Sequence, residues 1–197
     1  MRLMLQVRDD DAAAFDELMR RYQTRLITVL QHLVGARGEA EDLAQEVFLR
    51  VYRARKKYVP GAKFATWLFT IANHVASNAR RGRARRPEVN IHASESGPFG
   101  TAGLDAIAQA ASGQLPTRQL DKAELRDVVQ SALLRLNERQ RLAVLLSKFE
   151  EMSYSEIAET MNLSTQAVKS LLSRARSELR DALAPYLERG QRVKGIK

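Results

Sequence analysis

YSEIAETMNLSTQAVKSLLSRAR, residues 154–176, decides the fold: two apolar stripes at helical spacing flank a sharp break, and cations and amides fill the faces they leave. Ile157, Ala158 and Met161 share one helical face, while Val168, Leu171, Leu172 and Ala175 share another, so two short helices can bury these faces against each other. Asn162-Leu163-Ser164 forms the turn between them. A break this tight favours a residue tolerant of positive φ, a role in which Asn is second to Gly, and Ala158 is small enough to let the helices approach. Ser153 with Glu156 three residues on reads as a capping box, and Ser164 can cap the second helix. The pattern is a helix-turn-helix. Its second helix carries Thr165, Gln166, Lys169, Ser170, Ser173, Arg174 and Arg176 off the apolar stripe, groups able to reach phosphates and base edges in a major groove. A helical hairpin with a solvated basic face has the same local pattern, so the rest of the chain must decide.

The chain has 197 residues and a formal net charge of +9, which leaves room for one or two small domains and favours a polyanionic partner. Nucleic acid and an acidic membrane both fit that charge. No apolar run approaches spanning length, and the opening MRLMLQVRDDD turns acidic too soon for a secretory signal, so a cytoplasmic protein without membrane insertion is expected. Cysteine is absent, which excludes disulfides, thiolate metal sites and thiol switches. His32, His74 and His92 are too scattered to bind a metal, and no cofactor is expected.

Two all-α units with a flexible linker are predicted: residues 1–86, a linker over 87–120, and residues 121–197. In the first unit, Phe15, Leu18, Met19, Tyr22, Leu26, Val29, Leu30 and Leu33 form a long stripe ending near Gly35. A second helix begins around Glu39 with Leu43, Val47, Phe48 and Val51 on one side, and ends near Lys57. A third follows Pro60-Gly61, with Phe64, Trp67, Leu68, Ile71, Ala72 and Val75 inward. The linker holds three of the five prolines and four of the ten glycines, with 106–111 at most a helical turn. In the second unit Leu125, Val128, Val129, Ala132, Leu133 and Leu136 form a stripe, and Asn137 caps a further helix before the helix-turn-helix. Acidic residues outnumber basic ones over 119–160, whereas the reverse holds over 163–197, which concentrates positive charge on the last helix and a basic tail, 189–197.

DDDAAAFDELMRRYQ (9–23), AEDLAQEVFLRVYR (40–53), FATWLFTIANHVASNARR (64–81) and the C-terminal helix-turn-helix stand in the order found in the extracytoplasmic-function (ECF) sigma factors of bacterial RNA polymerase, which this chain resembles over almost its whole length. The resemblance implies a sigma region 2-like bundle and a region 4-like helix-turn-helix. It also implies a subunit that binds core polymerase and directs promoter-specific initiation at minus-10 and minus-35 elements. The expected partners are the clamp of the large catalytic subunit, the flap of the other large subunit, promoter DNA and an anti-sigma factor.

By that resemblance Asp42, Gln45, Glu46, Phe48, Arg50 and Arg53 contact polymerase. A solvated mixed-charge face reads the same way, and Phe48 can face either side. The third block would recognise and melt the minus-10 element through Lys63, Phe64, Asn73, His74, Ser77, Asn78, Arg80 and Arg81. Melting requires unstacked bases to be caught against aromatic faces while cations hold the phosphates. Trp67 reads as a core residue, and Phe64 as core or base contact. Arg80, Arg81, Arg83, Arg85 and Arg86 suit duplex phosphates upstream, with a merely solubilising run as the alternative. The minus-35 element falls to the recognition-helix residues named above.

Two positions depart from the family pattern. Gln166-Ala167 stands where many relatives have Gly-Thr, trading a hydroxyl for an amide able to pair with adenine, and Asn137 stands where many have Pro. The chain has no carboxylate cluster at metal spacing, no nucleophile with a base and no phosphate-cradling loop, so no enzymatic activity is expected. Two rivals remain at this point. A conventional helix-turn-helix regulator would bind a symmetric duplex site as a dimer without polymerase, and a helical protein-binding adaptor would show no sequence preference in DNA.

Overall fold

Side-chain caps start four of the helices, those beginning at Ala12, Glu138, Tyr154 and Thr165. The computed structural model describes residues 2–61, 63–85 and 122–192. Its helices are α1 (Arg2–Arg8), α2 (Ala12–Val34), α3 (Arg37–Ala54), α4 (Phe64–Arg85), α5 (Lys122–Arg135), α6 (Glu138–Lys148), α7 (Tyr154–Met161) and α8 (Thr165–Arg192), with a short 3-10 turn at Arg55–Lys57. Every regular element among the described residues is helical. Asp11 starts α2 by accepting the Ala14 N–H at 3.0 Å, and Gly35 at φ 92 ends it.

The structure adds one helix that periodicity did not suggest. The residues before Asp9 form α1, and its Met4 and Val7 are fully buried. A seven-residue helix is too short to show a reliable stripe, so tertiary burial rather than propensity holds it. The second predicted helix ends at Ala54, and the 3-10 turn carries the chain on to Lys57. The predicted linker, including its possible turn at 106–111, lies outside the described residues, as do Arg86, His92 and the tail from 193. Residues 189–192, expected in the basic tail, instead continue α8.

Helices α1 to α4 pack as one group around Leu18, Leu26, Leu30, Val47, Leu68 and Phe69, all nearly inaccessible. Helices α5 to α8 pack as a second around Leu133, Leu136, Leu145, Leu146, Ile157 and Val168. The two groups touch where α7 lies on α4 and α6 on α2.

Within the second group the capping signals are realised. Asn137 and Gln140 form a reciprocal capping box at the start of α6, and Ser153 with Glu156 does the same for α7. The Ser164 hydroxyl accepts the Ala167 N–H at 3.1 Å. Asn162 takes a left-handed conformation, φ 52 and ψ 54, and the Leu163 N–H reaches the Ala158 carbonyl at 2.9 Å. Because a β-branched side chain fits that conformation poorly, Asn162→Val is expected to destabilise the protein by about 1–2 kcal/mol and Asn162→Gly to be nearly neutral. Urea denaturation at constant m-value checks both.

Arg141 joins helix ends that no local pattern connects. Its guanidinium donates to the carbonyls of Leu133, Leu134 and Leu136, at 2.9, 3.0 and 2.9 Å, where α5 finishes. It also donates to the carbonyl of His32 at 2.9 Å, near the end of α2. One cation thus satisfies carbonyls at the negative ends of two helices, one from each group.

Candidate nucleic-acid and polymerase interfaces

Helix α8 is anchored by Val168, Leu172 and Ala175, all buried, and this fixes which way its polar side points. Thr165, Gln166, Lys169, Ser170, Ser173, Arg174 and Arg176 are all exposed, so the predicted reading set shares one accessible side of the helix. The N-terminal turn, whose first N–H groups have no acceptor within the helix and whose dipole end is positive, lies beside them and adds to the pull on an anion. Arg176 also donates to the Tyr154 hydroxyl at 3.1 Å, and this bond, with the guanidinium charge, holds the phenol below its ordinary pKa.

The α3 set divides. Asp42, Gln45 and Arg53 are exposed, and Glu46 pairs with Arg50 at 2.7 Å one turn along. Phe48, left open by the sequence, is 6% exposed and packs edge-on against Phe15 at 6.5 Å between centroids. Beside it runs an open groove of about 1170 Å³ between α2 and α3, floored by Phe15, Met19, Ile27 and Phe48. Gln45 and Phe48 line it, whereas Asp42, Glu46, Arg50 and Arg53 do not. Sequence reasoning missed two residues here. Leu49 and Tyr52 line the same groove and are 50% and 41% exposed. Their signal was available, since both are large apolar residues lying off the buried stripe of α3.

The α4 set is not free. Lys63 pairs with Glu156 at 3.1 Å, the Asn73 amide donates to the Thr160 carbonyl at 3.3 Å, and Arg80 pairs with Glu138. All three partners belong to the second group. Bonds from the Ser153 hydroxyl and N–H keep the Glu156 carboxyl below the usual carboxylate range, and Lys63 adds to this. Ser77 accepts from Arg80 at 3.3 Å, and Asn78 from Arg81 at 2.6 Å, while His74 is exposed. Arg83 pairs with Glu39. Phe64 differs from the rest. It is 5% exposed, with Tyr22 edge-on at 5.1 Å and Trp67 at 6.0 Å, so the structure places it in an aromatic cluster instead of at the surface. Trp67 belongs to that cluster, as expected, and is partly buried.

A smaller apolar recess of about 150 Å³ opens between α5, α6 and α8, lined by Val129, Leu133, Val144, Leu172, Leu179 and Leu183 among others. Among the described residues no His, Asp or Glu cluster has the grouping of a metal site, and no helix is long and apolar enough to cross a membrane.

Comparison with known proteins bears on both groups. Residues 18–86 match the family model for Sigma-70 region 2, and residues 126–179 that for Sigma-70 region 4. The chain is 34% identical over 185 residues to the RNA polymerase sigma-H factor of Pseudomonas aeruginosa, covering 94% of each chain. It is 32% identical over 179 residues to the ECF RNA polymerase sigma factor SigW of Bacillus subtilis, covering 90% of this chain and 93% of that one. Its fold is similar to that of the sigma factor RpoE of Bartonella quintana, solved in complex with the anti-sigma factor NepR, with a TM-score of 0.63 at 23% identity over 86% of this chain and 96% of the other. Two regions matched in order, by relatives that run the length of the chain, favour neither a dimeric repressor nor an adaptor: the chain belongs to the ECF sigma factors of the sigma-70 family, which direct RNA polymerase to promoters.

Proposed function

We propose that this sigma factor divides promoter reading between its two helical groups. The single observation that carries the division is the exposed polar side of α8, a continuous row of amide, hydroxyl and cationic groups on a helix whose opposite side is buried. That helix enters the major groove of the minus-35 element, where Gln166 can pair with adenine and Lys169, Arg174 and Arg176 neutralise phosphates. Helix α4 and the segment leading into it act on the minus-10 element through Lys63, Asn73, His74, Ser77, Asn78, Arg80 and Arg81. The groove between α2 and α3, with Leu49 and Tyr52 at its mouth and Gln45 on its wall, takes the clamp of the large catalytic subunit. The flap of the other large subunit fits the recess between α5 and α8. Because two modest DNA contacts on one chain reinforce each other, selectivity needs neither to be tight alone. Catalysis belongs to the polymerase, and the protein works in the cytoplasm. The Bartonella quintana relative binds an anti-sigma factor, which supports a partner of that kind here.

In vitro transcription with bacterial core polymerase on a genomic promoter library tests this, alongside a mobility shift without polymerase. Start sites that depend on the protein and share two spaced elements are expected. Gln166→Ala should relax preference at one upstream base pair by about 1–3 kcal/mol, whereas Lys169→Ala should weaken all promoters alike and flatten the salt dependence. Identical base preferences in Gln166→Ala and the parent would remove Gln166 from the reading set.

A further inference from the structure

Helix α8 is seated from below. Val168, Leu172 and Ala175 are buried under it, and the buried amide of Gln140 donates to Glu178 at 2.6 Å, which ties it to the start of α6. A further bond joins α8 to α7 and lies in the open: Arg176 donates to the Tyr154 hydroxyl at 3.1 Å, across 22 residues of sequence. Both side chains are exposed. A single bond between exposed groups contributes little to stability, since water replaces it at small cost. Its effect is on where the guanidinium sits.

Arg176 has two places to lie. It belongs to the polar side of α8, and its side chain also lines the apolar recess formed by Leu172, Leu179 and Leu183 with α5 and α6. A long stem of this type covers apolar surface readily and carries its head along. The phenol oxygen holds that head on the α7 side. Tyr154 suits the task because it has only two side-chain torsions and stands at the first position of α7, directly after the Ser153 cap, whose box with Glu156 fixes the backbone there. A rigid post thus holds a flexible cation. Lys148, at the end of α6, and Lys169 of α8 act through their charge on the same phenol. Cations gathered around one exposed hydroxyl suit a phosphate of the DNA backbone.

We propose that Tyr154 is a positioning residue for minus-35 recognition: it holds the Arg176 guanidinium, before DNA arrives, where a backbone phosphate on the flank of that element meets it. This rests on the assignment of α8 to the minus-35 element. The arrangement acts on affinity, because rotamer freedom that Arg176 would lose on binding is already given up in the free protein. Tyr154 supplies no positive charge, so counterion release belongs to Arg176.

Holoenzyme assembled from the full chain and core polymerase tests this on a labelled duplex promoter taken from the genomic library, with binding measured by anisotropy over a range of salt concentrations. The parent is compared with Tyr154→Phe, Arg176→Ala and the double variant. Arg176→Ala is expected to weaken binding about tenfold and to reduce the slope of log K against log salt by about 0.9, the value for one phosphate. Tyr154→Phe keeps the ring and every positive charge, and should weaken binding about three- to fivefold with a smaller fall in slope. Urea midpoints of Tyr154→Phe and the parent should coincide. The double variant should bind no more weakly than Arg176→Ala alone, since the phenol oxygen acts only through the guanidinium. Additive losses in the double variant would overturn the proposal, because Tyr154 would then touch DNA or support the fold on its own account. Parent-like binding by Tyr154→Phe beside an impaired Arg176→Ala would also overturn it and leave the minus-35 assignment standing. Parent-like binding by Arg176→Ala would remove Arg176 from the reading set, and the proposal with it.

Discussion

Phe69→Ala is expected to lower the unfolding free energy by about 3–5 kcal/mol, the usual effect of removing a buried aromatic ring from a packed core. Phe69 heads the fully buried side chains by volume, at 1% exposure, and sits on α4 between Leu68 and the turn bearing Ala72. Helix α4 packs on α2 and α3 within its own group and on α7 across the interface, so a cavity there weakens several helix contacts together. A loss of this size is a large part of the ~5–15 kcal/mol that holds a typical domain. Denaturant titration at unchanged m-value measures it, and a loss below about 1 kcal/mol would mean that the surrounding helices collapse into the space.

Leu49→Asp should weaken binding to core polymerase by about 30- to 100-fold, or about 2–3 kcal/mol, while changing stability by less than about 0.5 kcal/mol. Leu49 is half exposed at the mouth of the α2–α3 groove, so the free fold does not depend on it and a docked clamp would bury it. Asp42→Ala makes the contrast. Asp42 is exposed and lies outside the groove lining, so its loss should alter the association rate and salt dependence more than the affinity. Fluorescence anisotropy of labelled protein titrated with core polymerase separates the two, and parent-like affinity in Leu49→Asp would move docking away from the groove.

What could be read from the sequence depended on how far apart the interacting residues are. The helix-turn-helix was legible because its determinants lie within a few residues of one another: Ser153 with Glu156, Asn162 at the turn, Ser164 with Ala167. The stripes of α2, α3 and α4 were legible for the same reason. Helix α1 was not, since a single pair three residues apart, Met4 and Val7, is too short a pattern to establish a stripe. Phe64 was ambiguous because the ring that buries it, Tyr22, comes from another helix. Glu150 shows the limit most clearly. Beside Glu151 it reads as part of a solvated acidic run, yet its partner Arg25 is 125 residues away and burial raises its pKa to about 7 in spite of that guanidinium. Leu49 and Tyr52 illustrate the opposite failure, with a visible signal passed over because single exposed apolar residues are ordinary on any surface.

The contact of Asn73 with Thr160 spans 87 residues, and synthesis runs in one direction. At roughly 5–20 residues per second a ribosome needs about 4–17 s to travel from the first to the second. Once Arg85 has been added, and until the residues of α7 follow, the nascent chain holds all of α4 without the helix that covers its amide and cations. Order of translation therefore gives each molecule an early window in which its first half is exposed to passing nucleic acid and polymerase, and the window closes when α7 emerges.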